Sequence, residues 1–523
     1  MPAVAHNPTA PPPSWEAERA RLEAQIAALT HQLEWFKRQL FGEKSERRHL
    51  QVPPEQMSLG EGFGAPQPQV PPTQPVAAHH RRVATGTSAA DGEEPLFFDE
   101  RVPVETILVP NPETQGLGEG EYEVIGQKVT HRLAQRPGSY VILKYVRQVI
   151  KRRDDQSLHC ASAPAAVIEG GRADVSFLAG VLIDKFLYHL PLYRQHQRLL
   201  AAGIEVSRQW LTQLVLSCAL LLAPIVTAQL QGIRRARVKA MDETPIKAGR
   251  KGQGKLKTGY FWPIWGDTDD GGGGDIVFLY RPSRAAVHVR EGLGENPGQD
   301  SVLISDGYSA YARYSAHTGI THAQCWAHAR RHFEHAKSIE PEAVAEALAR
   351  IGELYACEKA ISQQGLSGTQ KAAYRAAHAR PVVDAFFTWA EEQARAAALL
   401  PSNPLTKALH YVLQRREGLS VYLDDPAVPI DTNHLERALR PIPMGRKNWL
   451  FCWTEVGAEA VATIQSLLVS CRLHDIDPYD YLVDVLQRID THPASEVHLL
   501  IPRLWKQHFA EDPLRSDLHD LHR

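Results

Sequence analysis

Two stretches of the chain, RVKAMDETPIK at residues 237–247 and SVLISDGYSAY at residues 301–311, decide the predicted fold. Each contains a short apolar run that is typical of a buried strand. The first run delivers the carboxylate of Asp242 at its end, and the second delivers that of Asp306. An aspartate at a strand end is often a turn former or a cap, so the alternative of a purely structural role stays open.

The segments around these aspartates alternate in a recognisable order. The predicted elements are strands at residues 237–242, 259–265, 275–280, 301–304 and 320–323, and helices at residues 284–293 and 325–335. Glycines 271–274 predict the hairpin turn between the second and third strands. Three antiparallel strands, a helix and further strands, with acids ending the first and fourth strands, indicate a ribonuclease H-like core with a mixed sheet and flanking helices.

Paired acids of this kind are suited to metal chemistry. Two divalent cations about 3.5–4 Å apart can activate the attacking oxygen and stabilise the leaving oxygen in phosphodiester cleavage. Magnesium prefers carboxylate and water oxygens, so a third acid is expected to join the first two. The candidate is Glu436, whose predicted helix also places Asn433, Arg437 and Arg440 on one face. A surface network of ion pairs between Glu436 and these arginines is the alternative reading.

Several separate motifs in the expected order carry a family resemblance. They are MDETPIK, SDGYSAY, CWAHARRHF at 325–333, NHLERALRPIPMGRKNWLF at 433–451, LEWFKRQLFGEKSERR at 33–48, LPLYRQHQRLLAAGIEVSRQWL at 190–211 and SLLVSCRLHDIDPYDYL at 466–482. Together they resemble the DDE transposases of the insertion sequence 66 family, over nearly the whole chain.

This resemblance implies a DDE triad of Asp242, Asp306 and Glu436 that binds two Mg²⁺ ions, which Mn²⁺ can replace. It also implies an enzyme that cleaves the ends of an insertion sequence and joins their 3′-hydroxyls to target DNA, with terminal inverted repeats and target DNA as partners. Two alternatives remain: a catalytically silent DNA-binding derivative that acts as a regulator, and a nuclease without strand transfer.

The chain divides into several predicted parts, as an α+β multidomain protein. These are an N-terminal coiled coil (1–48), a Pro-rich linker (49–95), a small β-rich domain (96–170), a helical DNA-binding region (171–233), the catalytic domain (234–340 plus 412–460), an all-helical insertion (341–411) and a C-terminal helical element (461–523). The insertion accounts for the long interval between Asp306 and Glu436, which exceeds that of a plain ribonuclease H core.

The coiled-coil prediction depends on a seam of apolar residues in alternating steps of four and three: Leu22, Ile26, Leu29, Leu33, Phe36 and Leu40. We expect it to mediate homo-oligomerisation, although an amphipathic helix that packs on its own protein gives a similar pattern. Small accessory proteins of the same element are further partners that the resemblance suggests.

Candidate DNA contacts lie in two places. Arg437, Arg440, Arg446 and Lys447 follow the predicted third acid and can hold phosphates. Arg208 and Gln209 open the second helix of a pattern typical of a helix-turn-helix, which any two packed helices with a glycine turn also produce. Trp449 can stack on an unpaired base, or it can simply pack in the core.

Zinc is not expected. The Cys-x-x-His motif at Cys325 resembles a transposase signature, and His322, Cys325, His328 and His332 could form a zinc shell, but their helical spacing alone does not make one. Relatives carry paired Cys-x-x-Cys motifs before the catalytic domain, where this chain retains only Cys160 beside His159. We therefore predict no structural zinc there, and DNA binding by that segment becomes less certain.

Composition bounds the cellular setting. The formal net charge of −2 excludes a uniformly basic DNA coat, yet a local basic face still permits DNA binding. The six cysteines include no Cys-x-x-Cys pair, which favours a reducing cytosol. We expect no signal peptide and no membrane span, since the most apolar stretch, residues 211–226, is too short and better suited to a buried helix. The predicted location is cytoplasmic.

Overall fold

A computed structural model describes residues 97–98, 102–115, 121–136, 138–252, 255–268, 273–396 and 400–520. The predicted coiled coil and Pro-rich linker lie outside these residues. The strands are β1 (Phe97–Phe98), β2 (Val104–Val109), β3 (Tyr122–Arg136), β4 (Ser139–Arg152), β5 (Leu158–Cys160), β6 (Ile204–Glu205), β7 (Val238–Met241), β8 (Thr244–Gly252), β9 (Lys255–Gly266), β10 (Asp275–Arg281), β11 (Val302–Ser305) and β12 (Thr321–Gln324).

The α-helices are α1 (Val175–Leu182), α2 (Leu192–Ala201), α3 (Arg208–Arg235), α4 (Val287–Leu293), α5 (Ser309–Thr318), α6 (Trp326–Ala336), α7 (Pro341–Gln363), α8 (Gly368–Tyr374), α9 (Arg380–Ala396), α10 (Pro404–Leu413), α11 (Arg416–Asp424), α12 (Asn433–Leu439), α13 (Pro441–Trp449), α14 (Glu455–Leu473), α15 (Pro478–Arg488), α16 (Pro502–His508) and α17 (Asp517–Asp520). The protein is thus a mixed α+β chain.

The larger sheet carries the two predicted aspartates. Its strand order is β10-β9-β7-β11-β12, and β8 pairs with β9 beside this path. The strands β7, β11 and β12 run parallel, whereas β9 is antiparallel to both β7 and β10. Strands β7 and β11 are buried along their whole length. Parallel strands buried on both faces are mostly apolar, which explains why the sequence predicted them, although β7 also contains the buried Lys239.

Strand β8 was not predicted from the sequence. It lies end to end with β7 along the long partner β9: Met241 pairs with Ile264, and Thr244 then pairs with Phe261. Its sequence, TPIKAGRKG, contains proline, two glycines and three cations, which are poor strand formers. The pairing with β9 therefore overrides local propensity. As a result, β8 and the first half of β9 extend the sheet past the point where β7 ends.

Two long helices cover the β10 side of this sheet. Helix α14 donates from Ser466 Oγ to its own backbone and accepts at the same oxygen from the amide of Phe278 in β10 (2.9 Å). Gln229 of α3 donates to the carbonyl of Ile276 in the same strand (2.9 Å). Helices α3 and α14 are the two described helices long and apolar enough to cross a membrane, by length and composition only. Both contribute many buried residues to the core, and for α3 this confirms the buried helix predicted at residues 211–226.

The predicted helix pair before the catalytic region is present, with a longer second helix. Helix α2 ends at Ala201, and α3 begins at Arg208 after Ser207, whose Oγ accepts from the amide of Trp210 (3.1 Å). Helix α3 continues through Pro224 to Arg235, so it covers the buried helix predicted at residues 211–226 and ends just beyond the helical region predicted at residues 171–233. Packing of its apolar face against the rest of the core supports a helix of this length.

A second, smaller sheet has the order β2-β4-β3, with β5 paired to β4. Strand β4 is buried on both faces over much of its length. One face packs against Leu518, near the C-terminal end of the sequence, and the Tyr145 hydroxyl donates to the carboxylate of Asp517 (2.7 Å). Cys160 and the other five cysteines are all unpaired thiols.

The helices α7 to α10 stand between β12 and the segment that carries Glu436. Trp326 and Phe333 of α6 pack against Phe386 of α9, with ring centroids 5.2 and 6.0 Å apart. Pro341 and Pro404 occupy first-turn positions of their helices, where a missing amide hydrogen costs nothing. This helical layer therefore packs on the helix that leaves the large sheet.

Candidate active site

The carboxyl ends of β7 and β11 meet at one edge of the large sheet. Ala240 is opposite Ile304 in the parallel register, so Asp242 and Asp306 leave neighbouring strands at the same level. Backbone amides fix both carboxylates: Asp242 accepts from the amide of Glu243 and Asp306 accepts from the amide of Tyr308, each at 2.8 Å. The fold thus orients both side chains without help from a ligand.

A third acid, which the sequence reasoning missed, completes a cluster at this edge. Carboxylate oxygens of Asp242, Glu243 and Asp306 all lie within 4.8 Å of one another. The Glu243 side chain is 3% exposed, accepts a hydrogen bond from the Tyr311 hydroxyl (2.6 Å) and forms an ion pair with Arg284. Its position directly after Asp242 was the available signal, but neighbours along a strand usually point to opposite faces.

Burial makes this cluster electrostatically unfavourable as it stands. Burial is the main cause that raises the pKa of Asp242 to about 7, and the nearby charges of Glu243, Asp306 and Glu436 raise it further, against the lowering effect of the Glu243 amide. Burial also raises the pKa of Glu243, while the Tyr311 hydroxyl and Arg284 oppose this shift. Converging carboxylates that are costly to ionise together are relieved by a cation placed between them.

The donor set fits a hard divalent cation. All three ligand atoms are carboxylate oxygens, which suit Mg²⁺ or Mn²⁺ better than softer metals. All three residues are partly buried, which limits their hydration. Glu243 is also bound by Arg284 and Tyr311, so a cation held by Asp242 and Asp306 would compete with these partners for the third carboxylate.

The raised pKa of Asp242 predicts how stability depends on pH. A carboxyl whose folded pKa lies above its unfolded value stabilises the fold at low pH, and this stability is lost as pH rises through about 7. Without divalent metal, the free energy of unfolding should therefore fall by about 1 kcal/mol or more between about pH 6 and pH 8. Thermal unfolding measures this fall as a lower unfolding temperature. Asp242→Asn should remove this drop, and Mg²⁺ should offset it in the unmodified chain. An equal pH response in the variant would contradict the assignment.

Glu436 lies near this cluster but does not join it. It stands in the first turn of α12, and its charge reaches Asp242 strongly enough to raise the pKa of that carboxyl. Both of its oxygens accept from Arg331 Nη2 (2.9 and 3.0 Å), and His328 Nε2 lies 3.6 Å from Oε1. The partners are therefore on α6, not the arginines of its own helix that the surface-network reading invoked. The structure brings Asp242 and Asp306 together and leaves Glu436 paired beside them.

The loop before α12 is tied to the start of α6. Cys325 is fully buried, and its Sγ accepts from the amide and the hydroxyl of Thr432, both at 3.3 Å. The amide of Trp326 donates to the carbonyl of Ile430 (3.1 Å). The neighbouring Asp431 accepts from the Tyr355 hydroxyl of α7 (2.8 Å). Cys325 of the Cys-x-x-His motif thus fixes the loop before Glu436, and His328 lies close to the carboxylate without a hydrogen bond to it.

The four residues considered for zinc each have another partner. His322 Nε2 hydrogen-bonds Ser305 Oγ (2.8 Å), and burial lowers the pKa of His322 to about 4. His332 stacks on the Tyr411 ring with centroids 4.0 Å apart, while Cys325 and His328 have the contacts given above. Within the described part of the chain, the acidic cluster is the one group of three or more such side chains that meets.

The candidate DNA contacts lie on exposed surfaces near these elements. Arg437 and Arg440 are exposed on and after α12, and Lys447 is exposed on α13, whereas Arg446 is half-buried and donates to the carbonyl of Pro245. Arg208 and Gln209 are exposed at the start of α3, with the Arg208 guanidinium 5.8 Å from the Tyr193 ring centre. Trp449 is half-buried and packs against the core, which favours the packing alternative for this side chain.

Comparison with known proteins identifies the relatives of the chain. Residues 170–460, more than half of the sequence, match the Transposase IS66 family model. Residues 466–502 match the IS66 C-terminal element, and residues 28–107 match a model described as Transposase C of IS166 homeodomain.

Three proteins of Sinorhizobium fredii are similar over almost their whole length. Uncharacterized protein y4hP is 29% identical over 92% of this chain and 89% of its own length. Uncharacterized proteins y4qI and y4jD are 30% and 28% identical, each over 93% of this chain and over 92% and 96% of their own lengths. The match to the family model and the 30% identity over nearly the full length lead to one conclusion: this chain belongs to the IS66 family of transposases.

Proposed function

We propose that the protein is a DNA transposase that cleaves the ends of an insertion sequence and joins the released 3′-hydroxyls to target DNA. The observation that carries this proposal is the meeting of Asp242 and Asp306 at the carboxyl ends of adjacent parallel strands, in a chain of a transposase family. Two bound Mg²⁺ ions would activate the attacking oxygen and stabilise the leaving oxygen of a phosphodiester.

We infer a ribonuclease H-like core for this enzyme. The strand order β10-β9-β7-β11-β12, with only β9 antiparallel to its neighbours, supports this inference, as do acids at the ends of β7 and β11. The catalytic domain would comprise residues 234–340 plus 412–460, and residues 341–411 would be a helical insertion. Residues 96–170, 171–233 and 461–523 would form the small β-rich domain, the helical DNA-binding region and the C-terminal element.

In this proposal Glu436 is the third metal ligand. Its carboxylate is close enough to act on Asp242 electrostatically, and its side chain is 28% exposed. Arg331 holds it in place through two hydrogen bonds. A divalent cation competes with Arg331 for these oxygens, because a carboxylate attracts a divalent ion more strongly than an exposed guanidinium in water.

The chain's own cations would position the DNA. Arg437, Arg440 and Lys447 are exposed next to the proposed third ligand and would hold phosphates at the site, with Arg446 beside them. Arg208 and Gln209, at the start of α3, would contact base edges if the α2–α3 pair acts as a helix-turn-helix. We also propose that the chain forms homo-oligomers through its N-terminal segment, that small accessory proteins of the same element take part, and that the protein is cytoplasmic.

The test is an assay with DNA that carries the inverted repeats flanking the gene. With Mg²⁺ or Mn²⁺, the full chain should nick the repeat end and then form covalent products with target DNA. Glu436→Gln, which keeps the shape of the side chain and removes its charge, should reduce both steps on the order of a hundredfold or more. Glu334→Gln is the matched control, since Glu334 is exposed on α6 and pairs with Arg330.

The outcomes separate the proposal from its alternatives. Binding without nicking at any metal concentration would favour the catalytically silent regulator. Nicking without joined products would favour a nuclease. Full activity of Glu436→Gln would remove Glu436 from the metal site and leave Asp242, Asp306 and Glu243 as the candidates.

A further inference from the structure

A positively charged hairpin extends the large sheet past its acidic edge. From Thr244 to Gly266 the sequence contains five cations and no aspartate or glutamate. The cations are Lys247, Arg250, Lys251, Lys255 and Lys257, all exposed, and we call residues 244–252 and 255–258 the basic hairpin. Among the described residues, Lys257 is the one member paired with an acid, Glu455 (2.8 Å). The hairpin therefore presents mostly uncompensated positive charge.

The basic hairpin starts at the active-site cluster. Thr244 directly follows Asp242 and Glu243, and the strand then runs along β9 away from β7. At about 3.3 Å per residue, Arg250 lies roughly 20 Å along the strand from Thr244. DNA bound at the cluster could reach this distance with about six nucleotides of one strand, at about 3.4 Å each.

The segment that follows α13 is fixed to the outer edge of this hairpin. The amide of Cys452 donates to the carbonyl of Lys247 (2.9 Å), and the amide of Gly249 donates to the carbonyl of Cys452 (3.3 Å). The register of β8 against β9 shifts on both sides of Arg250, and Gly249 has a positive φ of 69°. Bulges of this kind bend a strand and redirect its side chains. Here they bring Arg250 next to Trp453.

An exposed aromatic group lies at this junction. Trp453 is 63% exposed, its ring meets the Phe451 ring edge to face at 5.0 Å, and the Arg250 guanidinium lies 5.8 Å from its centre. A cleft of about 390 Å³ opens between Trp453, Arg250, Gly249 and Thr454. Exposed tryptophan is costly in water, so a large apolar ring supported by a cation indicates a ligand with both a flat face and negative charge.

We propose that the basic hairpin and Trp453 form a docking surface for unpaired nucleotides of the DNA strand that passes through the active site. This inference rests on the proposed function. Lysines along the hairpin neutralise phosphates, and Trp453 with Arg250 stacks on a base. The base must be unpaired, because the faces of bases inside a duplex are already covered by their neighbours. A groove of cations interleaved with an aromatic platform is the arrangement that single strands require.

The test measures binding in EDTA, where no cleavage occurs, by fluorescence anisotropy of labelled DNA with the full chain. Two probes are compared: a blunt duplex and the same duplex with a short single-stranded overhang. Trp453→Ala should weaken binding to the overhang probe about tenfold and change binding to the blunt duplex by less than about twofold. Trp453→Phe should retain most of the affinity, since it keeps a ring to stack on.

Charge is tested separately. The double variant Lys251→Glu/Lys255→Glu should bind the overhang probe much more weakly. The affinity that remains should depend less steeply on salt concentration. The control variants are Leu158→Ala, which removes an exposed apolar side chain of the small sheet, and Lys359→Glu, which changes an exposed cation of α7. Neither control should shift the affinity by more than about twofold.

Two results would overturn the proposal. Wild-type affinity of Trp453→Ala for the overhang probe would assign the aromatic patch to another partner. An equal loss on both probes would make the surface a contact for duplex DNA. No chemistry takes place in this binding assay, so its result is independent of cleavage. If the wild-type chain failed to cut DNA while Trp453→Ala still lost affinity for the overhang probe, the proposed function would be refuted and this inference would be retained.

Discussion

Replacing either aspartate of the cluster should abolish the proposed reaction. Asp242→Asn and Asp306→Asn keep the size of each side chain and its hydrogen bond from a backbone amide, but remove a charged oxygen from the place where the carboxylates meet. Metal-dependent cleavage of inverted-repeat DNA should fall on the order of a thousandfold or more, since residues that act as one catalytic unit lose most activity singly. The measurement is the initial rate of nicking with saturating Mg²⁺, together with thermal stability to show that each variant is folded.

An aspartate just before the same strand provides a control for the loss of a negative charge away from the cluster. Asp300 is exposed just before β11, at the opposite end of the strand from Asp306, and its positive φ of 57° is one that asparagine also tolerates. Asp300→Asn should therefore leave both cleavage and stability nearly unchanged. Substantial nicking by Asp306→Asn, at more than a tenth of the wild-type rate, would exclude that carboxylate from the reaction.

The sequence was sufficient to find these two aspartates because their context is local. Each follows a short run that is mostly apolar, residues 238–241 and 302–305, and such a run indicates a buried strand. The structure has β7 and β11 at these runs and joins them in parallel register, which puts both aspartates at one edge. The same reasoning could not find Arg331 as the partner of Glu436, because that contact joins α6 to α12 across the long helical segment between them.

Strand β8 and Glu243 escaped prediction for a different reason. Both depend on how the chain behaves immediately after β7, where the strand is interrupted at Asp242 and Glu243 and then resumes its pairing with β9. This interruption allows two consecutive acids to face the same cluster, which an uninterrupted strand would prevent. Neither periodicity nor propensity records such an irregularity, since it lies between two segments that both pair with β9.

The buried side chain of Arg375 should contribute strongly to the stability of the helical layer. Arg375 is fully buried, and its Nε and Nη2 bind both carboxylate oxygens of Glu358, each at 2.8 Å. Its Nη1 donates to the backbone carbonyls of Tyr422, Asp425 and Val428, which turn the chain towards the segment that bears Glu436. One side chain therefore joins α7 to the turn after α11.

Arg375→Met should destabilise this layer by about 3–5 kcal/mol, because it leaves the largely buried carboxylate of Glu358 without its cation and three carbonyls without their donor. We expect the unfolding temperature to fall by at least about 5 °C, measured by differential scanning calorimetry. Hydrogen exchange should locate the loss of protection in α7 and in residues 422–431, because the three carbonyls lie there.

The matched control and a compensating variant determine whether the buried charge is the cause. Arg380 lies on the next helix and pairs with Asp424, but both side chains are exposed, so Arg380→Met should cost less than about 1 kcal/mol. Combining Arg375→Met with Glu358→Leu removes the stranded charge and should recover part of the lost stability. If the double variant were as unstable as Arg375→Met alone, the carbonyl contacts rather than the ion pair would hold the layer together. If Arg375→Met unfolded at the wild-type temperature, this arginine would not link the helical layer to the segment that positions Glu436.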